Sequence, residues 1–214
     1  MSSNQPIGIF DSGFGGLTVA RAIIDLLPSE DIVYFGDTSR YPYGPQPLEE
    51  VKSYSEQISD YLIAEHDVKM IVIACNTASA AAEGDLRNST EIPIVGVITP
   101  GAQAVAEVSS TKKIGVIGTV GTINSQAYDH AIEGISPGNI ELVSVACPGF
   151  VEFVERGEFE GEQVRILADR LLAPVIQADV DALLLGCTHY PYLARAIGES
   201  VGEGVVLVSS ADET

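Results

Sequence analysis

Residues 70–77 read MIVIACNT, an apolar run that ends at Cys75. Residues 182–189 read ALLLGCTH, a second apolar run that ends, after Gly186, at Cys187. Short apolar runs bounded by small polar residues are typical of strands that are buried on both faces of a parallel sheet. The sequence therefore predicts two buried strands, each of which delivers a cysteine at its carboxyl end.

Similar runs recur along the chain, each followed by turn residues and a helical pattern, at 7–10, 32–35, 94–98, 114–117, 140–146 and 205–208. This alternation indicates α/β architecture, with parallel-rich sheets flanked by helices. The Pro100-Gly101 step interrupts one run, and we place a domain boundary there. We predict two similar domains, residues 1–97 plus 205–214 and residues 98–204, with the active site in the cleft between them.

Composition excludes several classes of partner. The 214 residues carry 30 acidic and 11 basic side chains, a formal charge of −19, which repels the phosphates of nucleic acids. No apolar run reaches the roughly 20 residues that a membrane-spanning helix needs. Residues 1–6 show no secretory pattern, so we expect a cytoplasmic protein without a membrane partner.

The three cysteines are Cys75, Cys147 and Cys187. An odd number without close spacing argues against a disulfide framework and against a zinc site, so we expect no metal. Cys147 precedes Pro148 and has no counterpart in the other half. We interpret it as a structural residue.

Two opposed thiols have a specific chemical use. A thiolate can remove an acidic hydrogen from one face of a carbon while a thiol returns another to the opposite face, which inverts the carbon without a cofactor. Free cysteine has a pKa of about 8.5, so both forms are accessible near neutral pH. We expect Asp11 and Asp37 to assist Cys75, and Glu155 and His189 to assist Cys187.

Arg40 is the only basic residue within these loops, so a carboxylate substrate would be bound mainly by neutral donors. The predicted substrate-binding residues are Ser12, Tyr43, Gly44, Asn76, Thr77, Thr119, Thr122 and Thr188.

Six motifs carry a resemblance to a known family. They are FDSGFGGLTV (10–19), YFGDTSRYPYG (34–44), IACNTASA (73–80), GVIGTVGT (115–122), CPGFVEFVE (147–155) and LGCTHYP (185–191). In this order and approximate spacing they resemble the bacterial glutamate racemases of the aspartate/glutamate racemase superfamily. The resemblance covers most of the chain.

The resemblance implies a cofactor-independent isomerase that interconverts L- and D-glutamate, supplies D-glutamate for peptidoglycan and forms a homodimer. It implies that Cys75 deprotonates D-glutamate and Cys187 L-glutamate. It also implies that Asp11 and His189 belong to the substrate-binding residues. Glu152 stands where many members of the family have proline. Members of the family also continue past residue 214 with a helical tail that completes the first domain, so we expect exposed apolar surface there.

Three alternatives stay open. An aspartate or hydantoin racemase of the same superfamily would share both cysteines. A cysteine-dependent amide hydrolase would use Cys187 with His189 and would need only one thiol. A binding protein without catalysis would need neither.

Overall fold

The computed structural model describes residues 4–211 and residue 213. Its first sheet contains β1 (Ile7–Asp11), β2 (Ile32–Gly36), β3 (Met70–Ile73) and β4 (Ile94–Gly96). The strand order is β2-β1-β3-β4 and all pairings are parallel. Strand β3, which leads to Cys75, is therefore an interior strand, as the apolar run 70–74 predicted.

The second sheet repeats this topology. It contains β5 (Lys113–Gly118), β6 (Glu141–Ala146), β7 (Ala182–Gly186) and β8 (Val206–Ser209), in the order β6-β5-β7-β8 with all pairings parallel. The predicted α/β class with two similar sheets is confirmed.

The sheets are joined and covered by helices. These are α1 (Leu17–Leu26), α2 (Leu48–His66), α3 (Asn76–Ser89), α4 (Ile98–Val108), α5 (Val120–Asn124), α6 (Ala127–Ile135), α7 (Phe150–Glu155), α8 (Glu162–Gln177) and α9 (Ala194–Val201), with a 3₁₀ turn at Tyr190–Leu193. Among the described residues, no helix is both long and apolar enough to cross a membrane.

Two details differ from the sequence expectations. Pro100 and Gly101 do not interrupt a strand; they lie in the first turn of α4, where a proline removes no hydrogen bond because the first amides of a helix have no intrahelical partner. Strand β8 pairs with β7 in the second sheet, whereas residues 205–214 were assigned to the first domain. The division into domains otherwise stays a prediction.

Each sheet buries both faces. Phe10, Ile71 and Ile73 pack with residues of α2 and α3, and the alternate side chains of the same strands pack with α1 on the opposite face. In the second sheet α4 and α6 cover one face and α7 and α8 the other. Leu17, Ile24 and Leu26 of α1 are exposed large apolar side chains.

Candidate active site

The carboxyl ends of the central strands of both sheets border one cavity of about 90 Å³. Cys75 follows β3 in the first half, and Cys187 follows β7 in the second. Both line the cavity. Parallel strands place the residues that follow them at one sheet edge, and the two edges meet here. The two predicted thiols are thus brought together from opposite halves of the chain.

Cys75 caps the amino end of α3. Its Sγ accepts a hydrogen bond from the Ala78 amide at 3.5 Å and lies 3.9 Å from Ser12 Oγ. Burial raises the pKa of Cys75 to about 12, and the nearby Asp11 acts in the same direction, while the Ala78 amide opposes the rise. Burial of this thiol therefore favours its protonated form.

Cys187 has a similar environment. Burial raises the pKa of its thiol above the ordinary value, and the backbone amides of His189 and Tyr190 partly oppose that rise. Cys75 and Asp11 add to it. Deprotonation of either thiol therefore needs a change in the site, such as the arrival of a positive charge with a ligand.

His189 links Cys187 to Glu155. The imidazole Nδ1 lies 3.8 Å from Cys187 Sγ and 3.3 Å from Thr188 Oγ1, and its Nε2 lies 2.7 Å from Glu155 Oε1. His189 is buried, whereas Glu155 does not line the cavity. Glu155 is therefore connected to Cys187 through the imidazole of His189.

Asp11 lies beneath the cavity at the end of β1. Its Oδ2 accepts from the Gly13 amide at 2.9 Å, and its Oδ1 has no partner among the described residues. Burial raises the pKa of Asp11 above its ordinary value, while the Gly13 amide and His189 oppose the rise. Asp11 is close enough to both cysteines to raise their pKa values.

Asp37 has a different environment from the expected one. Its Oδ2 accepts from the Tyr43 hydroxyl at 2.5 Å and from Arg40 Nε at 2.5 Å, and Ser39 donates to its Oδ1 at 3.1 Å. Asp37 does not line the cavity, but Tyr43 does. The carboxylate thus contacts a residue of the cavity wall, and the sequence alone did not predict this contact.

The predicted hydroxyl donors cluster where the halves meet. Thr77 Oγ1 lies 2.9 Å from Thr119 Oγ1 and 3.1 Å from Thr122 Oγ1, and the latter two atoms are 3.0 Å apart. Thr77 belongs to the first half of the chain, whereas Thr119 and Thr122 belong to the second. The cavity is lined by Thr77 and Thr119 but not by Thr122. Six other residues from the predicted substrate-binding set also line it: Ser12, Tyr43, Gly44, Asn76, Thr188 and His189.

Two glycines allow the halves to approach closely. A Cβ at Gly15 would lie 2.6 Å from His189 Cε1, and one at Gly44 would lie 2.8 Å from Thr119 Cβ. The Gly44 carbonyl also accepts from the Gly121 amide at 2.8 Å. Glycine is needed at both positions because any side chain would push the second half away.

Sequence reasoning missed part of the cavity wall. Tyr41, Cys147, Val151 and Glu152 line it as well. The Tyr41 ring lies beside the His189 ring, with centroids 6.2 Å apart. Cys147 was interpreted as structural; burial raises the pKa of its thiol to about 12. Its position after β6, at the same sheet edge as Cys187, was the available signal.

The cavity wall contains no lysine or arginine from the part of the chain that the structure describes. Arg40 is nearby, but it is bound to Asp37, to Gln57 and over the ring of Tyr54. Within residues 4–211, no group of three or more His, Cys, Asp and Glu side chains has the arrangement of a metal site. The available ligands for an anion are hydroxyls, amides and backbone N–H groups.

Comparison with known proteins gives consistent matches. The family model for Asp/Glu/Hydantoin racemase matches residues 8–214. A glutamate racemase of Parafrankia sp. (strain EAN1pec) is 52% identical over 212 residues, covering 99% of this chain and 76% of the relative.

Solved structures agree with this match. Glutamate racemase isoform RacE1 from Bacillus anthracis superposes with a TM-score of 0.94 at 44% identity, covering 98% of this chain and 78% of that one. A glutamate racemase from Francisella tularensis, solved in complex with D-glutamate, gives a TM-score of 0.91 at 39% identity. The match covers 98% of this chain and 78% of that one.

Proposed function

The chain belongs to the Asp/Glu/Hydantoin racemase family, and we propose on that premise that it is a glutamate racemase, an isomerase that interconverts L- and D-glutamate. The observation that carries the proposal is the pair of buried thiols, Cys75 and Cys187, which come from opposite halves and line one cavity. Inversion at one carbon needs one proton acceptor and one proton donor on opposite faces, and this pair supplies both.

The proposed reaction has two proton transfers and needs no cofactor. With D-glutamate bound, the Cys75 thiolate takes the α-hydrogen, and the Cys187 thiol gives its hydrogen to the opposite face of the carbanion. With L-glutamate bound the roles are exchanged. The α-ammonium group of the substrate brings a positive charge into the cavity, which favours the thiolate form of whichever cysteine acts as base.

Two assisting arrangements follow from the contacts. His189 can receive the Cys187 proton at Nδ1, and the Glu155 carboxylate stabilises the imidazolium that results. We assign Asp11 to the same assisting role beside Cys75, because it is buried close to that thiol.

We assign a supporting role to Asp37. Because the Tyr43 hydroxyl donates its hydrogen to Asp37, that hydroxyl can only accept from a ligand. The substrate carboxylates therefore take their hydrogen bonds from Ser12, Thr77, Thr119, Thr188 and backbone amides such as that of Gly44. This set of neutral donors fits an anionic amino acid without a lysine or arginine.

The biological setting is part of the proposal. D-Glutamate is a component of peptidoglycan, and we propose that the protein supplies it for the cell wall from the cytoplasm. We also propose that it acts as a homodimer, as the resemblance implies.

Racemisation in deuterated water tests the reaction. At low conversion of D-glutamate, the L-glutamate formed should carry deuterium at Cα while the remaining D-glutamate keeps protium, because the thiol that donates is not the one that received the hydrogen. Cys75→Ala and Cys187→Ala should each abolish racemisation. Cys147→Ala, which removes the third buried thiol, is the matched control and should racemise.

The same assay separates the alternatives. Exchange with aspartate but not glutamate would indicate an aspartate racemase. Release of ammonia from a glutamate amide, lost in Cys187→Ala but kept in Cys75→Ala, would indicate a hydrolase. Normal racemisation by either single variant would exclude the two-thiol mechanism.

A further inference from the structure

A buried hydrogen-bond chain lies behind the cavity. Asn76, which lines the cavity, donates from Nδ2 to the Tyr128 hydroxyl at 2.7 Å and to Ser210 Oγ at 3.0 Å. Ser210 Oγ donates to the Leu185 carbonyl oxygen at 3.3 Å. Leu185 belongs to β7, two residues before Cys187, and the other three side chains are buried. The chain thus joins the start of α3 in the first half to α6, β7 and the segment after β8.

Counting hydrogens fixes the direction of this chain. A carbonyl oxygen only accepts, so the single hydroxyl hydrogen of Ser210 is used by Leu185. The Asn76 amide also donates to the Tyr128 hydroxyl oxygen, at 2.7 Å. Both oxygens face Asn76 as acceptors, so its amide has to turn the NH₂ group, with its two hydrogens, toward them. The Tyr128 and Ser210 oxygens together therefore orient the Asn76 amide.

The acceptor end of the amide is left without a donor. Asn76 Oδ1 is buried and has no hydrogen-bond partner among the described residues. A buried acceptor is normally paired, so an unpaired amide oxygen on a residue of the cavity wall indicates that a ligand completes its hydrogen bond. The only strong donor in glutamate is its α-ammonium group, because its two carboxylates only accept.

We propose that Tyr128 and Ser210 are positioning residues that hold Asn76 with its Oδ1 toward the α-ammonium group of the bound amino acid. The inference deepens the proposed function and rests on it. Its consequence is selectivity: the network favours a ligand with an α-ammonium group over a dicarboxylate of the same length that lacks one. Neither Tyr128 nor Ser210 lines the cavity, so any effect of these residues on the ligand passes through Asn76.

Calorimetric titration with two ligands tests the proposal. D-Glutamate carries the ammonium group, and glutarate has the same carbon chain and carboxylates without it. Ser210→Ala removes one of the two oxygens that accept from the NH₂ group of Asn76, so the amide is free to turn. We expect D-glutamate to bind Ser210→Ala about 10-fold more weakly, as for the loss of one charge-assisted hydrogen bond, while glutarate binding stays within about 2-fold. Tyr128→Phe leaves Ser210 in place and should cause a smaller loss, again confined to D-glutamate.

Ser59→Ala is the matched control, because Ser59 is also a buried serine whose hydroxyl donates to a backbone carbonyl, that of Ser55 within α2. It should change neither affinity. Equal weakening of both ligands by Ser210→Ala and Tyr128→Phe would reveal a merely structural role and overturn the inference, as would no change in either. If the wild-type chain neither binds nor racemises D-glutamate, the proposed function itself fails. Thermal unfolding of each variant identifies one that does not fold, and the other variant then decides.

Discussion

His189 Nε2 lies 2.7 Å from Oε1 of Glu155, although Glu155 ends α7 and His189 follows β7. The opposite ring nitrogen is directed at Cys187. The second-half side of the cavity therefore has a thiol that contacts an imidazole, and the imidazole in turn contacts a carboxylate. Among the described residues, no matching imidazole lies on the first-half side: Cys75 has Asp11, Ser12 and the amino end of α3. The two bases thus receive different support, and this asymmetry can be measured.

Glu155→Gln should slow proton transfer at Cys187 alone. The amide keeps a hydrogen-bonding group but cannot stabilise an imidazolium, so we expect kcat/KM to fall about 10²-fold. It must fall equally in both directions because the equilibrium constant between enantiomers is 1. The primary isotope effect distinguishes the steps: it should rise for [2-²H]-L-glutamate and fall for [2-²H]-D-glutamate.

Asp11→Asn is the counterpart variant and should give the reverse pattern, with a larger isotope effect on the D-isomer. An unchanged ratio of isotope effects in Glu155→Gln would contradict a role for Glu155 at Cys187.

Asp37 and Tyr43 should behave as one unit. Asp37→Asn weakens the 2.5 Å hydrogen bond between the two side chains and Tyr43→Phe removes it, which loosens the loop that forms one wall of the cavity. We expect each variant to raise KM, and the double variant to add little, with a coupling energy of about 1–2 kcal/mol in kcat/KM. The ratio of the isotope effects on the two enantiomers should stay at its wild-type value.

The alternative is the role that the sequence suggested, in which Asp37 assists Cys75. In that case Asp37→Asn would raise the isotope effect on D-glutamate as Asp11→Asn does, and Tyr43→Phe would not. The two outcomes are distinct in a single set of kinetic measurements.

Gly15 should not tolerate a side chain. A Cβ there would overlap Thr188 and His189, so Gly15→Ala has to displace either the loop after β1 or the loop after β7. We expect activity to fall by more than about 10-fold, because small misplacements of reacting groups are costly.

Gly84→Ala is the matched control, since Gly84 lies inside α3 and has nothing within 4 Å of an added Cβ. It should leave activity unchanged and stabilise the fold by about 0.5–1 kcal/mol, as measured by denaturant unfolding. Full activity of Gly15→Ala would mean that the halves are held less closely than the structure indicates.

The limits of prediction follow from which contacts are local. The strands that precede Cys75 and Cys187 could be predicted from the sequence. Each strand is an apolar run, and the cysteine comes directly after that run in the chain. The partner of Asp37 could not, since Asp37 lies in a loop whose side-chain directions depend on tertiary packing. The prediction that Pro100 interrupts a strand was wrong because a proline is compatible both with a loop and with the first turn of a helix. Strand β8 could not be assigned to a sheet from periodicity, which identifies a strand but not its neighbour.

Asp181 provides a pH-dependent test of the fold away from the cavity. Its Oδ1 accepts from the Ser109 hydroxyl at 2.6 Å, and its Oδ2 accepts from the Ser110 hydroxyl at 2.8 Å and from the Ser110 and Thr111 amides, both at 2.7 Å. Burial disfavours the charged carboxylate, but these hydrogen bonds outweigh it and hold the pKa of Asp181 below its ordinary value. The stabilisation is therefore fully present above the unfolded-state pKa of about 3.9, and is lost as the pH falls through the folded-state value.

Asp181→Asn replaces one acceptor oxygen with an NH₂ group that faces other donors, so hydrogen bonds to this side chain are lost. We therefore expect the Tm at pH 7 to fall by at least about 2–4 °C. The difference from wild type should shrink as the pH falls below about 4, because protonation removes the same interaction from the wild-type chain. Asp179→Asn is the control: that side chain is 92% exposed and contacts only Lys113, at 3.4 Å, among its ionic partners in the described chain. Its Tm should match wild type at both pH values, since exposed ion pairs contribute little. A Tm difference for Asp181→Asn that is the same at pH 7 and pH 3 would show that the anchor does not depend on the carboxylate charge.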